Sequence, residues 1–498
     1  MTKLRVALAA ATFLLSACGS KTAPAPRLVL LYAPCTVNRA LLAPYDATIP
    51  FTPNLTDFQK EALVFERHLT ESGQSGIAYA SLFTGGQADL HGVYAHPRHV
   101  PEDVTTITEV FQDAGYDTFF WGSQRMAVAS LNGQGVAPAN QFEKALSADD
   151  PVFTGILQRL ADDPGYRAFI VTAFTVTHAP YKPHGFERFV KEYPNERSLF
   201  ESYGTSFEEL YRLYQENYIE LSYDWEATIA QLGLSPAQSR DLRNLSSQLY
   251  RSRIRKLDSD FGRVVDRVDA AGFATDSIVA FTADHGEVMQ RENALFRWTH
   301  GHALAPEVLS VPWILRGRNV RAGRYSGVSR SIDILPTLAN LSGISLPPGF
   351  AATGEDLSPA LGTDTAAAPE LLGFAHTSLI PHGVGPDVFG PVFAGLYPRD
   401  DPALIWVAIY GRERVFKWRN HGDGSFVFEA FDHRSDPQEE INLYDPNDAE
   451  HVAMRGRLQD YKARLVADHE RRRQAGDASL ELPAGEDLEA LKSLGYVR

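Results

Sequence analysis

Cysteine and methionine are scarce in this sequence, with two and four residues among 498. The two cysteines, Cys18 and Cys35, are too few for a scaffold held together by disulfides. Basic residues are the minority among charged residues, and the formal net charge is −15. An acidic surface of this kind disfavours nonspecific binding to nucleic acid or to anionic lipid headgroups. We therefore expect no nucleic-acid partner, and no particular protein partner is predicted.

Internal repeats are also absent, and no segment beyond the amino terminus is apolar for long enough to predict a membrane-spanning helix. The composition that remains is 44% hydrophobic and 22% charged. These proportions are typical of a large globular protein with a substantial core.

The amino terminus has the features of a secretory signal. Lys3 and Arg5 precede an apolar run at residues 6–15, which is too short to cross a bilayer. The next residues, Leu15-Ser16-Ala17-Cys18, resemble a bacterial lipobox. That resemblance implies removal of residues 1–17 and acylation of Cys18, and two or more acyl chains anchor a protein stably to a membrane. The alternative is an ordinary signal peptide with an incidental cysteine.

The lipobox resemblance also predicts a location. Gly19, rather than aspartate, follows Cys18, which favours the outer membrane over inner-membrane retention. We expect a periplasmic, lipid-anchored protein whose residues 18–26 form a linker. If Cys18 carries lipid, Cys35 is left without a disulfide partner, and a lone thiol in an oxidising compartment requires another explanation.

Strand and helix patterns alternate along most of the chain. The helical patterns include 54–66, 104–114, 250–270 and 332–341, and the strand patterns include 28–33, 116–121, 167–175, 278–283 and 311–316. Such alternation predicts an α/β fold with a mostly parallel central sheet covered by helices on both faces.

The pattern changes towards the carboxyl terminus. From about Leu404 it predicts a smaller sheet followed by an amphipathic helix from about Glu450. We therefore predict a catalytic domain at 27–400, with a largely helical insertion at 185–250, and an α+β subdomain at 401–498.

The segment Ile278–Glu287 is the most informative in the chain. An apolar run typical of a buried strand ends in Asp284, His285 and Gly286. Ligands bind beyond the carboxyl ends of strands in open α/β sheets, and carboxylate and imidazole groups are ligands for zinc or manganese. Gly286 lets the backbone turn close to an ion. The alternative is a turn in which Asp284 caps a helix.

With these elements placed, the chain resembles the sulfatase branch of the alkaline phosphatase superfamily. The Asp284-His285-Gly286 segment is similar to that family's second metal-binding motif. Further landmarks follow in order: His300-Gly301, Val311–Gly317, Ile332–Leu338, Phe431-Asp432, Asp436–Leu443 and the tail Leu491–Val497. The resemblance implies the fold predicted above and an ester hydrolase or phosphotransferase activity.

The resemblance also indicates a nucleophile. Ser81-Leu82-Phe83-Thr84-Gly85 is similar to the family's helix after the nucleophile, and counting back places Ser75 at the nucleophile position. A helix amino terminus with free N–H groups is suited to an anionic ester, and a metal-bound hydroxyl can attack it near neutral pH. The alternative is that Ser75 only caps the helix.

Two departures from the family are visible. Ser75 is followed by Gly76-Ile77-Ala78-Tyr79, without the proline and arginine that direct formylglycine formation. In addition, Cys35 stands where the family's first metal-binding aspartate is expected. A thiolate would favour zinc, although calcium or manganese would also suit an oxygen-rich site. The alternatives are a decayed site in which Cys35 only packs, or compensation by Asp46.

Two more histidines correspond to family positions that hold the substrate anion or a second ion. They are His178, after the strand at 167–175, and His300. The alternative for each is a surface or capping histidine. His184 and His302 are nearby alternates, and His68 matches no landmark.

We therefore expect a metal-dependent enzyme that acts on phosphate or sulfate esters through Ser75, His178 and His300, with metal bound by Asp284, His285 and Cys35. Envelope glycans or lipids are the expected substrates because of the anchor at Cys18. Two alternatives remain: a formylglycine-type sulfuric ester hydrolase, and a catalytically inactive protein that binds an envelope component.

Overall fold

A computed structural model gives the architecture of the chain. It describes residues 25–477 except 95–97, 124–126, 128–129, 182–206, 290–296, 302–303, 348–349, 351–352, 362–368, 378–404 and 421–425. Cys18, His184, His302 and the tail at 491–497 lie outside the described residues. Among the described helices, none is long and apolar enough to cross a membrane.

The described strands form two sheets. They are β1 (Leu28–Tyr32), β2 (Leu63–Leu69), β3 (Asp117–Gly122), β4 (Gln141–Phe142), β5 (Ala168–Ala173), β6 (Ser277–Phe281), β7 (Ile314–Gly317), β8 (Gly323–Arg330), β9 (Gly373–Thr377), β10 (Trp406–Tyr410), β11 (Arg414–Asn420) and β12 (Phe426–Asp432). The larger sheet has the order β4-β3-β5-β1-β6-β7-β2-β8, and the smaller has the order β12-β11-β10-β9.

The described α-helices lie between and beyond these strands. They are α1 (Pro53–Phe58), α2 (Ser75–Thr84), α3 (Ala88–His91), α4 (Ile107–Asp113), α5 (Pro151–Asp162), α6 (Phe207–Tyr223), α7 (Trp225–Gln231), α8 (Pro236–Ala270), α9 (Pro306–Leu309), α10 (Ile334–Leu341) and α11 (Ala449–Ala475).

The central strand β1 shows why helices cover both faces of the large sheet. Leu28, Leu30 and Tyr32 belong to one hydrophobic core, which includes residues of α8. Val29 and Leu31 belong to a second core, which includes residues of α2, α4 and α10. Successive strand side chains point to opposite faces, so a strand buried on both sides reads as one continuous apolar run. The predicted fold class is therefore confirmed.

Most pairings in the large sheet are parallel, and β7 is the exception. It runs antiparallel to both of its neighbours, β6 and β2. The four strands of the smaller sheet are all antiparallel, and α11 packs against β10 and β11. That sheet includes β9, which precedes the boundary predicted at residue 401.

One predicted element is wrong. The sequence pattern at 54–66 favoured a continuous helix, whereas α1 ends at Phe58 and Leu63–Leu69 forms strand β2. Leu63, Val64 and Phe65 are buried, and β2 pairs with β8 along most of its length. A short apolar run does not by itself distinguish a helix from a buried strand. Here the pairing of β2 with β7 and β8 determines that the segment is a strand.

Candidate active site

The candidate site lies beyond the carboxyl ends of β1 and β6, at the amino terminus of α2. Strands β1 and β6 pair in parallel, from Leu28 opposite Ser277 to Tyr32 opposite Phe281. Cys35 follows β1 and Asp284 follows β6, each by three residues. Because parallel neighbours end at the same edge, this register brings the two side chains together.

Cys35, Asp284 and His285 form a buried three-ligand cluster. One donor atom from each residue lies within 4.8 Å of the other two. Zinc holds sulfur and nitrogen ligands at about 2.0–2.3 Å, which requires donor separations of this order. Asp284 Oδ2 is buried and has no hydrogen-bond partner among the residues that the structure describes, so a carboxylate oxygen is available to the cluster. The donor set therefore fits a divalent ion, and its thiolate favours zinc over calcium.

The backbone fixes the other oxygen of Asp284. Oδ1 accepts hydrogen bonds from the backbone N–H groups of Thr36, at 2.9 Å, and of His285, at 2.7 Å. Hydrogen bonds to a carboxylate favour its charged form. Asp284 is thus oriented by both strand ends, with Oδ2 left towards the ligand cluster.

Ser75 is the first residue of α2 and is fully buried. Its Oγ lies 3.0 Å from Nε2 of His285 and 3.4 Å from Sγ of Cys35. A hydroxyl, an imidazole and a thiol therefore meet at one point, and the carboxylate Oδ2 of Asp284 lies 3.4 Å from the same Nε2.

The tautomer of His285 follows from its second nitrogen. Nδ1 lies 2.9 Å from the carbonyl oxygen of Gly286, which can only accept a hydrogen bond. Nδ1 must therefore carry the proton, and the lone pair of the neutral ring is on Nε2. This lone pair faces Ser75, and it is suited either to accept the hydroxyl proton or to ligate a metal.

His178 and His300 stand beside this cluster. The His300 ring lies 4.3 Å from that of His285 and 4.9 Å from that of His178, centroid to centroid. His178 Nδ1 donates to the carbonyl of its neighbour Ala179 at 2.5 Å. Burial lowers the pKa of His178 to about 4, so this imidazole is neutral near pH 7.

The site continues from His300 to Glu287 and Tyr181, and neither residue was predicted as part of it from the sequence. Glu287 Oε1 lies 3.2 Å from Nδ1 of His300, and its Oε2 accepts a hydrogen bond from the hydroxyl of Tyr181 at 2.9 Å. Burial raises the pKa of the Glu287 carboxyl well above its ordinary value. Glu287 is the last residue of the Ile278–Glu287 segment. Its position two residues after His285, a candidate metal ligand, is a signal in the sequence that could have identified Glu287.

Thr36 adopts an unusual backbone conformation next to Cys35. Its φ is +63°, which is a strained region for a β-branched residue. The hydroxyl of Tyr250 donates to the Thr36 carbonyl at 2.9 Å and accepts from the N–H of Asn38 at 2.8 Å. Tyr250 on α8 therefore holds the turn that positions Cys35, a role that its helical spacing in the sequence did not reveal.

Gly286 also has a packing role that the sequence did not indicate. Its N–H donates to the carbonyl of Val308 at 2.7 Å, and a Cβ built on it would lie 2.0 Å from the carbonyl oxygen of Glu307. Close approach of α9 excludes a side chain at this position.

Asp46 and His68 do not join the cluster. The carboxylate of Asp46 bonds to Thr48, 2.9 Å from its N–H and 2.7 Å from its hydroxyl, and does not compensate for Cys35. His68 is buried elsewhere, between Ser329 and Ser331. The structure brings together Ser75, His178, His300, Asp284, His285 and Cys35.

Comparisons with known proteins decide the family. The sulfatase family model matches residues 38–344, which is more than half of the chain. The chain belongs to the sulfatase family. This places it among the hydrolases of the alkaline phosphatase superfamily.

Individual relatives are distant. The chain is 24% identical over 429 residues to an ulvan-active sulfatase from Formosa agariphila, covering 79% of this chain and 72% of the relative. It is 23% identical over 303 residues to a choline-sulfatase from Rhizobium meliloti, covering 59% of this chain and 55% of the relative.

Solved structures share the fold over nearly the whole chain. One was determined in complex with its substrate D-glucosamine-2-N,6-O-disulfate; its TM-score is 0.63 at 15% identity, covering 92% of this chain and 100% of the other. The phosphonate monoester hydrolase of Agrobacterium radiobacter has a TM-score of 0.57 at 16% identity, and the match covers 89% of this chain and 96% of the hydrolase. At these identities the likeness establishes the fold alone.

Proposed function

We propose that this protein cleaves phosphate or sulfate esters by attack of Ser75 on the phosphorus or sulfur atom. The observation that carries the proposal is the 3.0 Å contact between Ser75 Oγ and His285 Nε2 inside the cluster of Cys35 and Asp284. Sulfatase-family membership and the sulfatase and phosphonate hydrolase neighbours support both ester classes.

Cys35, Asp284 and His285 would hold the divalent ion. Bound there, zinc would supply Lewis-acid polarisation of the ester oxygen and a lower pKa for a coordinated hydroxyl. Asp284 is oriented for this role by its two backbone hydrogen bonds, and His285 by the Gly286 carbonyl. The residues are thus arranged before any ligand binds, which reduces the reorganisation needed during reaction.

The Ser75 step balances as a group transfer. The Oγ–H bond breaks and its proton passes to water, Oγ bonds to phosphorus or sulfur as the bond to the ester oxygen breaks, and the leaving alkoxide takes up a proton from water. Water or an acceptor alcohol then attacks the seryl ester and regenerates Ser75. The backbone N–H groups at the start of α2 and the rings of His178 and His300 are placed to bind the anion.

An unmodified serine favours phosphate esters over sulfate esters. It can carry a phosphoryl intermediate, but it lacks the geminal diol with which formylglycine expels sulfate. The residues after Ser75 also lack the proline and arginine of the formylglycine motif. The similarity to sulfatases favours a second candidate function. In it, Ser75 is modified to formylglycine and the enzyme hydrolyses sulfate esters.

Two measurements on the purified full chain separate these candidates. Turnover of 4-nitrophenyl phosphate, bis(4-nitrophenyl) phosphate and 4-nitrophenyl sulfate is compared, with mass spectrometry of the Ser75 peptide. Faster phosphate-ester turnover with an unmodified peptide is expected. A loss of two hydrogens at Ser75 would establish the formylglycine mechanism, and no turnover of any ester would favour an inactive envelope-binding protein.

We also propose that acylated Cys18 anchors the enzyme at the periplasmic face of the outer membrane, near envelope glycans or lipids. The support is the lipobox-like sequence ending at Cys18. Labelled fatty acid should be incorporated into the wild type and not into a Cys18→Ala variant. Equal labelling of the two proteins, or none in either, would contradict the anchor.

A further inference from the structure

The smaller sheet reaches the candidate active site through the end of strand β9. Thr377 is the last residue of that strand and is fully buried. Its position is fixed by the sheet, because Thr377 lies opposite Trp406 of β10 in an antiparallel pair. No motif in the sequence indicated Thr377, since its neighbours in the site come from distant parts of the chain.

The hydroxyl of Thr377 contacts two segments of the candidate active site. It donates to the carbonyl of Gly301 at 2.5 Å and to the side-chain amide oxygen of Gln74 at 3.2 Å. Gly301 follows His300 in the chain, and Gln74 is the residue before Ser75. One buried hydroxyl proton is thus shared between a neighbour of the proposed nucleophile and a neighbour of a histidine proposed to bind the anion.

The preceding residue of β9, His376, makes two further contacts with the loop that leads to Ser75. The N–H of His376 donates to the Glu71 carbonyl at 2.9 Å, and the His376 carbonyl accepts from the hydroxyl of Ser72 at 2.8 Å. The Ser72 hydroxyl oxygen in turn accepts from the N–H of Gln74 at 3.1 Å. The loop is therefore attached to β9 along its length before the chain enters α2.

Gln74 transmits this attachment to α2. It is the N-cap residue of the helix, and its carbonyl accepts hydrogen bonds from two N–H groups of the first turn, at 3.1 and 3.0 Å. Its side chain contacts Thr377 instead of capping the helix. Gln74 is thus held through both its backbone and its side chain, and it sets where α2 begins. The start of α2 in turn sets the position of Ser75 Oγ.

The geometry of attack makes such support important. Reacting groups must be held within about 0.5 Å of their productive positions, and a misplacement of about 1 Å can lower the rate by roughly 10²-fold. Ser75 and His300 belong to separate segments of the chain, so a shift of either segment alone would change the distance between nucleophile and bound anion. A buried group bonded to both segments limits that shift.

From these contacts we infer that Thr377 is a positioning residue, which ties the segment of the nucleophile Ser75 to the segment of the anion-binding His300. The catalytic consequence rests on the proposed function, whereas the tie itself is a property of the folded chain and can be tested without turnover. The smaller sheet is then part of the support of the active site. The competing role for Thr377 is packing of one sheet against the other.

Removing the hydroxyl separates these two roles. With the 4-nitrophenyl ester that the wild type cleaves fastest, Thr377→Val should lower kcat by roughly 10–100-fold and change KM much less. Thr377→Ser keeps the hydroxyl and should restore most of kcat. The matched control is Thr118→Val, because Thr118 on β3 is buried and likewise donates to a glycine carbonyl, that of Gly135 at 2.5 Å. An equal loss of kcat in this control would overturn the inference, as would a wild-type kcat in Thr377→Val.

Gln74→Met tests the same contact from its other partner and leaves the packing of Thr377 in place. Since Thr377→Val already removes the contact with Gln74, the losses of kcat in the double variant should be less than additive. Fully additive losses would contradict a shared role. A wild-type kcat in Gln74→Met would also contradict it, and this arm holds even if Thr377→Val does not fold.

Amide hydrogen exchange followed by mass spectrometry measures the tie without catalysis. Exchange at residues 71–76 and 298–301 should be faster in Thr377→Val than in the wild type by roughly fivefold or more, and unchanged in Thr118→Val. Unchanged exchange in either segment of Thr377→Val would overturn the inference. A wild type that cleaves no ester would contradict the proposed function alone, and exchange would still decide whether Thr377 ties the two segments.

Discussion

Two of the buried histidine–serine pairs among the described residues have the same contact distance and different surroundings. His285 Nε2 lies 3.0 Å from Ser75 Oγ, and His68 Nδ1 lies 3.0 Å from Ser329 Oγ. Beside His285 stand the thiol of Cys35 and the carboxylate of Asp284. Beside His68 stand a second hydroxyl, that of Ser331, and the ring of Trp313.

The difference shows that a hydroxyl beside an imidazole is not by itself a reactive site. Burial lowers the pKa of His68 well below its ordinary value, and the charge of Arg39 lowers it further. That ring is therefore a neutral member of a packed core network. Among the described residues, the three-ligand cluster forms around His285 and not around His68. Charge supplied by neighbouring residues separates the proposed reactive pair at His285 from the pair at His68.

The largest difference in kcat should appear when the hydroxyl of Ser75 is removed in one variant and that of Ser329 in another. Ser75→Ala should lower kcat by roughly 10³-fold or more, because it removes the proposed nucleophile. Ser329→Ala should leave kcat nearly unchanged and lower the free energy of unfolding by about 1 kcal/mol, the value of one buried hydrogen bond. Steady-state kinetics and thermal unfolding of both variants test the contrast. Similar losses of kcat in the two variants would break it.

Metal retention should separate the two histidines next. Asp284→Asn should weaken zinc binding by roughly 100-fold, because it replaces a charged ligand with a neutral amide. His68→Gln should bind zinc as the wild type does. Elemental analysis after dialysis and zinc titration provide the readouts. Undiminished zinc content in Asp284→Asn would remove Asp284 from the ligand set, and an equal loss in both variants would indicate a general folding defect.

Backbone support of the reactive pair should have an intermediate effect. Gly286→Ala places a methyl group 2.0 Å from the Glu307 carbonyl and should lower the free energy of unfolding by about 1–3 kcal/mol. Gly155→Ala, inside α5 with no atom within 4 Å of its new methyl group, should instead raise it by about 0.5–1 kcal/mol. Urea denaturation of both variants measures this. Destabilisation of equal size would show that the contact with α9 is not the cause.

The last contrast concerns the pH dependence of stability in the region around His68. Glu71, three residues after His68, is buried, and burial together with the charge of Asp333 raises its pKa to about 8. The folded state keeps this proton between about pH 4.5 and 8 while the unfolded chain releases it. Stability should therefore fall as pH rises through that window, by at most about 1.4 kcal/mol per pH unit.

A glutamine at this position should flatten that dependence. Glu71→Gln should make the thermal midpoint less sensitive to pH between about pH 5 and 8 than it is in the wild type. Glu102→Gln changes an exposed carboxylate and serves as the control. The same pH slope in the wild type and in Glu71→Gln would exclude Glu71 as its source.

The sequence predicted the parts of the site that are encoded locally. Asp284 and His285 follow an apolar run whose character as a buried strand is visible without its neighbours in the sheet. Ser75 was indicated by the resemblance to the sulfatase family and not by a local pattern. The contact of Tyr250 with the backbone of Thr36 joins residues 214 positions apart, and no local pattern specifies it. Strand β2 was missed because its pairing with β8 is equally remote in sequence.

The position of β1 has a consequence for motion. This strand is hydrogen-bonded to β5 on one side and to β6 on the other, and its side chains are fully buried on both faces. The turn at Cys35 and Thr36 continues directly from it. Backbone amides in such a central strand exchange with solvent only through the largest opening events of a protein. We therefore expect this turn to be coupled to a slowly exchanging part of the molecule, and its geometry should persist until the surrounding domain unfolds.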